Sequence, residues 1–389
     1  MSLDLDKSTW KRVAFGDVVR NLNVTVKDPS AEGIDQVIAM EHLDPGELKI
    51  SRWGSIEDGT TFTRRVKPGQ TLFGKRRAYQ RKAAYAEFDA ITSGDILVFE
   101  ADPTQLLPEF LPFLVQSDGF YDHALGTSAG SLSPRTNWRD LSNYEFDLPP
   151  LDQQQHLADL LWALERHRLA TTQRSDAASS LRSTLVRERL ADGTKAEVPL
   201  RTLIRPGTSI TYGIVQAGPE VEDGVPYIRV SDMTDGVLSV RGMKRTSPEI
   251  AERFERSRVE SGDLVVALRG RTGLTLRVPS ELDGANLTQG TARVAVDDAQ
   301  VDPDYVLTIM NSDWMSRKIG KQAKGSTFTE LTLAALRGLP IPRLGRTGEA
   351  ALLAELTALD GATCASSEDL DSLGELRRSL LNNVFGGAE

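Results

Sequence analysis

The chain has 389 residues, 40% hydrophobic and 26% charged, with a formal net charge of −9, one cysteine and four histidines. That length exceeds what one hydrophobic core usually organises, so two domains are expected. A lone Cys364 excludes an internal disulfide, no apolar stretch approaches the ~18 residues of a membrane span, and the polar first residues lack a signal-peptide core, so a cytoplasmic protein is expected.

Residues 10–150 mix short alternating runs with turn signals, the pattern of an α/β or α+β module. Strands are expected at 73–77 (FGKRR) and, after the turn Ser93-Gly94-Asp95, at 96–100 (ILVFE). A buried helix is expected over 109–116 (EFLPFLVQ), then a Gly-Ser-Thr loop at 126–137 and a Pro-bearing strand ending in Pro149-Pro150. Residues 152–190 contain no Gly or Pro and read as one long helix that stops at Ala191-Asp192-Gly193.

The same order then returns. VAFGDVV at 13–19 reappears as VPLRTLI at 198–204, and VIAMEHL at 37–43 as YIRVSDM at 227–233. Val66-Lys67-Pro68-Gly69 reappears as Val259-Glu260-Ser261-Gly262, and Ser117-Asp118 as Ser312-Asp313. The helix 109–116 has its copy at 304–311, the polar loop at 325–329, the proline strand at 339–342, and a long helix at 349–385 interrupted only by Gly361 and Gly374. The offset drifts only from 185 to 195. A period this long marks a duplicated domain rather than a solenoid repeat. Four segments follow: a first head at 1–151, a long helix at 152–191, a second head at 192–344 and a second long helix at 345–389.

Both long helices carry leucines at their ends and small polar residues in their middles. An antiparallel pairing that sets Thr171 opposite Ala365 brings Leu164 near Leu373 and Leu181 near Leu356. The expected seam is Leu157, Leu164, Leu181 and Leu185 against Leu356, Leu373 and Leu380. It is too weak for a self-sufficient coiled coil; the alternative is two amphipathic helices packed only on their own domains.

The negative net charge argues against nucleic acid, but its distribution matters more. Eight basic residues and no acid occupy positions 64–82. In the second copy Arg317, Lys318, Lys321 and Lys324 cluster, and Arg269 and Arg271 take the place of Arg76 and Arg77. Catalytic motifs are missing. Residues 69–75 (GQTLFGK) imitate a phosphate-binding loop, but Arg76 stands where a magnesium-binding Ser or Thr is required. Asp35 with Glu47-Leu48-Lys49 imitates a nuclease motif that its counterpart Val237-Leu238-Ser239 does not keep. The histidines lack partners at ligand spacing, so no metal site is expected.

The junction Leu148-Pro149-Pro150-Leu151-Asp152-Gln153-Gln154-Gln155, the run Gly325-Ser326-Thr327-Phe328-Thr329-Glu330-Leu331 and the segment 73–82 (FGKRRAYQRK) leading to Ser93-Gly94 together resemble the specificity subunits of type I restriction–modification enzymes, over nearly the whole chain. The second junction, Pro342-Arg343-Leu344-Gly345-Arg346, lacks the glutamines, so its helix is expected to begin later or dock less tightly. The resemblance implies two tandem pseudo-symmetric target-recognition domains joined by long antiparallel helices. Each domain would read one half of a bipartite, asymmetric double-stranded DNA target. The helices would act as a ruler and as the dock for two modification (methyltransferase) subunits, with or without restriction subunits. This chain would be non-catalytic and bind no cofactor; S-adenosylmethionine, ATP and magnesium would belong to the partners. DNA contacts are expected from Lys75, Arg76, Arg77, Tyr79, Arg81, Lys82, Ser128, Ser131, Arg135 and Asn137 in the first copy. In the second they are expected from Arg269, Arg271, Thr272, Lys324, Ser326 and Thr327. Each of these residues has an ordinary alternative as a solubility or capping residue. The alternative for the whole chain is an assembly scaffold that does not touch DNA.

Overall fold

The computed structural model describes residues 5–130, 133–191, 196–234, 236–322 and 330–386. The chain divides into two compact units, Met1–Thr172 with Ser367–Glu389, and Gln173–Ser366. The division is not linear in sequence: each unit takes one end of both long helices, Leu151–Ala191 and Gly345–Phe385, of 41 residues each.

The first unit contains an antiparallel sheet in the order Val19–Leu22, Ile96–Ala101, Thr71–Gly74, Ala83–Tyr85. A second sheet pairs Gln36–Ile38 in parallel with Ala90–Thr92, flanked by Gly54–Ser55 and Arg64–Val66. Lys11–Ala14 pairs with Glu145–Leu148 at the foot of the long helix. The second unit repeats this plan. Its antiparallel sheet runs Thr211–Tyr212, Thr291–Val294, Leu264–Ala267, Thr275–Arg277. Its parallel pair is Val225–Ile228 with Asn286–Leu287, and Glu197–Pro199 pairs with Pro340–Pro342.

Local chemistry explains why the plan survives sequence drift. Gly69 and Gly262 both sit at left-handed φ, 87° and 89°, in the turn before the central strand, where a side chain would be strained. Gly69 N donates to Ala86 O and Gly262 N to Val278 O, both at 2.9 Å, closing the same turn. Ser117 accepts from Phe120 N at 3.3 Å, and Ser312 accepts from Met315 N at 3.2 Å, each capping the helix that follows. The amide of Gln116 donates to Ala83 O and that of Asn311 to Thr275 O, both at 2.8 Å, pinning the preceding helix to the sheet.

The cores differ in kind. Phe15, Phe73, Phe99 and Phe120 pack ring on ring in the first unit, with centroids 4.9–5.9 Å apart, onto Leu157, Leu161, Leu380 and Val384 of the helices. The corresponding positions of the second unit are Leu200, Val266, Val294 and Met315, packed with Val186, Leu190, Leu352 and Leu356.

Several expectations are corrected. The first central strand is Thr71–Gly74 and stops before the basic run, so Lys75, Arg76 and Arg77 lie in the loop after it. The buried helix of the first copy is the shorter Leu111–Val115. The second long helix begins at Gly345, one residue before the position equivalent to Leu151, not later. The missing glutamines are replaced by another lock. In the first unit Gln154 accepts from Leu107 N and donates to Gln105 O and Pro149 O, all at 2.8 Å. In the second, Glu349 stands in its place, holding Arg343 at 2.6 Å while Arg343 donates to Gln300 O.

The helix register also differs from expectation. Within the second unit the helices do run antiparallel, but Arg182 meets Asp360 at 2.7 Å and Arg189 meets Glu355 at 2.9 Å. This displaces Leu181 from Leu356; Leu181 is 55% exposed, outside the seam, while Val186 and Leu190 supply the apolar contact. Leu157, Leu356 and Leu380 are buried in the cores, and Leu164 and Leu185 pack partly against them. Leu373 is half-buried.

Candidate nucleic-acid interface

The loop between Thr71–Gly74 and Ala83–Tyr85 is built on strain. Arg77 and Arg81 are the non-glycine residues with left-handed φ among those described, both at 52°, and they flank the 3-10 turn Ala78–Gln80. An L-residue there costs of order 1 kcal/mol and persists only where neighbours enforce it. The enforcement comes from the Gly-Ser-Thr loop: Arg77 N donates to Pro134 O at 2.8 Å and Thr136 N to Lys75 O at 3.0 Å.

Two predicted regions about sixty positions apart in sequence therefore form one surface. Arg77 is exposed and Tyr79 is 57% exposed on the turn. Arg135 is exposed beside them, bridged through its backbone to Arg76. Asn137 sits exposed at the start of the helix Trp138–Leu141, and its side chain caps nothing. Lys75 is half-buried at the strand end. Sequence reasoning missed Asp95, which organises the patch by holding Arg76 Nε at 3.0 Å and standing 3.9 Å from Arg135. The turn Ser93-Gly94-Asp95 was legible, but the direction of its carboxylate was not.

Other predicted residues face the fold. Arg81 donates to Gln116 O at 3.1 Å, pairs with Asp118 at 2.6 Å and lies 4.7 Å above the ring of buried Tyr121, whose hydroxyl pKa burial pushes up. Lys82 donates to Met40 O at 2.7 Å. Ser128 bonds back to Ala124 O at 2.7 Å.

The second unit presents the same loop between Leu264–Ala267 and Thr275–Arg277. Leu331 N donates to Leu268 O at 2.8 Å, the counterpart of the Thr136–Lys75 bond. Arg269 is exposed, 3.5 Å from Glu330. Arg271 donates to Met233 O at 2.8 Å, and Thr272 is half-buried. Ser131, Lys324, Ser326 and Thr327 lie outside the described residues.

Among the described residues no group of His, Cys, Asp or Glu is placed to hold a metal ion, and no helix is long and apolar enough to cross a membrane.

These features define a class: a two-headed α/β protein whose heads each raise a basic turn after the same strand, strained at arginines in the first and relaxed by Gly270 and Gly273 in the second, and share two long helices. Residues 7–178 match the family model of the type I restriction modification DNA specificity domain. The chain is 24% identical over 196 residues to the type I restriction enzyme EcoBI specificity subunit of Escherichia coli, covering 49% of this chain and 41% of that one. It is 26% identical over 152 residues to the EcoDI specificity subunit of the same organism, covering 39% and 33%. The matches thus span less than half the length of these curated relatives. A chain from a structure of type I R-M complex assembly and conformational transition aligns over 97% of this chain and 98% of its own, at 18% identity and a TM-score of 0.62. The type I S subunit from M. genitalium aligns over 100% of both, at 14% identity and 0.62; at such identities the likeness concerns the fold. Residues 7–178 thus match the type I specificity domain, and the chain shares the fold of the solved type I S subunit.

Proposed function

We propose that this chain is the DNA-recognition subunit of a type I restriction–modification complex, binding a bipartite, asymmetric duplex target with one head per half-site. The supporting observation is the recurrence of the basic turn: Arg76 and Arg77 in one head, Arg269 and Arg271 in the other, after the same strand and braced by the same loop bond. Arginines there suit phosphate and guanine contacts. Identical heads would read a symmetric target; heads whose cores and loops have diverged read different half-sites.

The long helices dock two modification subunits and fix the spacing of the half-sites. The chemistry then lies with those partners: methyl transfer from S-adenosylmethionine, and ATP- and magnesium-dependent steps where restriction subunits join. The chain itself positions DNA and works in the cytoplasm with the DNA it marks.

Single-molecule methylome sequencing of cells carrying the chain and its modification subunit should yield a bipartite asymmetric motif that vanishes when the chain is deleted. A motif that persists sinks the proposal, as does tight S-adenosylmethionine binding by the purified chain alone. One heptad inserted into each long helix adds about 10 Å of rise. The unread spacer should lengthen; an unchanged spacer removes the ruler.

A further inference from the structure

The first unit holds four arginines and three carboxylates whose pairing does not close. Arg168 of the first long helix donates from Nη2 to both Glu47 and Glu165, and from Nε to Glu165 at 3.1 Å. Arg81 takes Asp118. Arg377 and Arg378 of the second long helix are left without a carboxylate among the described residues. The Nε of Arg377 is buried with no acceptor, and its Nη2 reaches Gln116 Oε1 only at 3.5 Å. Burial pushes the pKa of this guanidinium down. A guanidinium with one buried orphan donor and one weak bond at 3.5 Å is costly to keep, and an anionic partner beside it would offset that cost.

The partner has room. Arg81, Gln116, Arg377, Arg378 and Asn382 line a solvent-open cavity of about 280 Å³. Asp118, already paired with Arg81, and Leu381 line it too; Gly46 and Gly374 complete its wall, and the space where a Cβ would stand at either is open.

The internal repeat supplies the control. Arg377 corresponds to Arg182, and Glu165 to Asp360, both at an offset of 195. In the second unit Arg182 Nε donates to Asp360 Oδ1 at 2.7 Å, and the pair is closed. In the first, Arg168 stands where the second copy has Thr363 and takes the carboxylate of Glu165 for itself. Arg377 still feels the charge of Glu165 and Glu47 but lacks the direct pair its counterpart keeps.

We propose that the Arg377 cavity binds a phosphate of the DNA backbone, with the outer guanidinium nitrogens of Arg377 donating and Arg378 adding charge. The inference rests on the DNA-recognition reading above. A phosphate is favoured over an acidic peptide because Arg81 lines this cavity and also ends the recognition turn Ala78–Gln80, so the cavity adjoins the candidate DNA surface. The second head lacks this contact, which makes the two half-site interactions unequal in salt dependence.

The test uses the full chain with its modification subunits and duplex DNA carrying the methylated motif. Arg377→Gln should weaken binding about 10-fold at physiological salt and reduce the slope of log affinity against log salt by about 0.9. Arg377→Lys, which keeps the charge, should recover most of the slope, and Arg182→Gln should leave it at the wild-type value. In parallel, inorganic phosphate should raise the Tm of the wild type over chloride at matched ionic strength, and should not raise that of Arg377→Gln. An unaltered slope in Arg377→Gln beside salt-dependent wild-type binding overturns the site and leaves the reading of the chain intact. Loss of the modification subunit with the slope preserved overturns it in favour of an acidic partner segment. A wild-type complex that binds no DNA overturns the function itself.

Discussion

The two heads share sheet order, turn glycines and helix caps, yet fill that frame with different chemistry. The first is aromatic at its centre, with Gln70 buried at the strand start and Val98 on the paired strand. At the equivalent positions the second has Asp263, fully buried, and Arg293, 8% exposed, joined at 2.6 Å. Arg205 and Glu260 complete the cluster, with Arg205 at 2.6 Å from Asp263 and Glu260 at 2.9 Å from Arg293. At the helix ends the roles reverse: the second head closes its Arg182–Asp360 pair and the first leaves Arg377 open. Topology is held by backbone hydrogen bonds and capping groups, which tolerate any side chain that fits. Divergence is therefore free to proceed in the core and in charge pairing.

This contrast can be broken head by head. The largest effect is expected from the double substitution Arg76→Ala with Arg77→Ala, which should abolish methylation of the bipartite target while assembly with the modification subunit, followed by gel filtration, is unchanged. Arg269→Ala with Arg271→Ala should do the same through the other half-site. Unchanged methylation would reduce the turns to solvated faces.

Next comes Asp263→Ala, which removes the buried partner of Arg293 and leaves it only the exposed Glu260. Removing one partner of a buried pair typically costs about 3–5 kcal/mol, so denaturant unfolding should show the second unit melting early while the first holds. Coincident loss of both units would refute their independence. Gln70→Ala at the matching site should cost far less, since no buried charge is exposed.

Gln154→Ala leaves Leu107 N and two carbonyls without their partner, a cost of about 1–3 kcal/mol. Hydrogen exchange at the junction of the first long helix should accelerate, while the Arg343–Glu349 junction of the second stays protected. Equal acceleration at both would show that the glutamine is not the local lock.

The smallest effect is in acid. Hydrogen bonds from Arg293 and Arg205 hold the Glu260 carboxyl below its ordinary pKa. A depressed folded pKa gives stability that is present above the unfolded value and lost as pH falls through the folded one. The second unit should therefore lose stability below the usual carboxylate range, and Glu260→Gln should flatten that part of its pH profile. A profile identical to wild type would remove Glu260 from the cluster's energetics.

The sequence by itself determined what is local or repeated. A long helix without Gly or Pro, turns needing left-handed glycine, serine caps and the internal period all leave marks within a few residues, and the duplication, the extent of the first long helix and the basic runs follow from them. Even there the reach was bounded: the leucine pattern implied an antiparallel seam, but Arg182–Asp360 and Arg189–Glu355 settled a register that leaves Leu181 in water. Only the tertiary structure decided which charges are free. Arg77 and Arg81 share one residue type and one backbone conformation in one turn, yet the first faces solvent and the second stacks on Tyr121. The physical reason is that a charged side chain's role depends on partners brought near by folding: Asp118 for Arg81, Asp95 for Arg76, and Arg168, which takes Glu165 and leaves Arg377 without an acid.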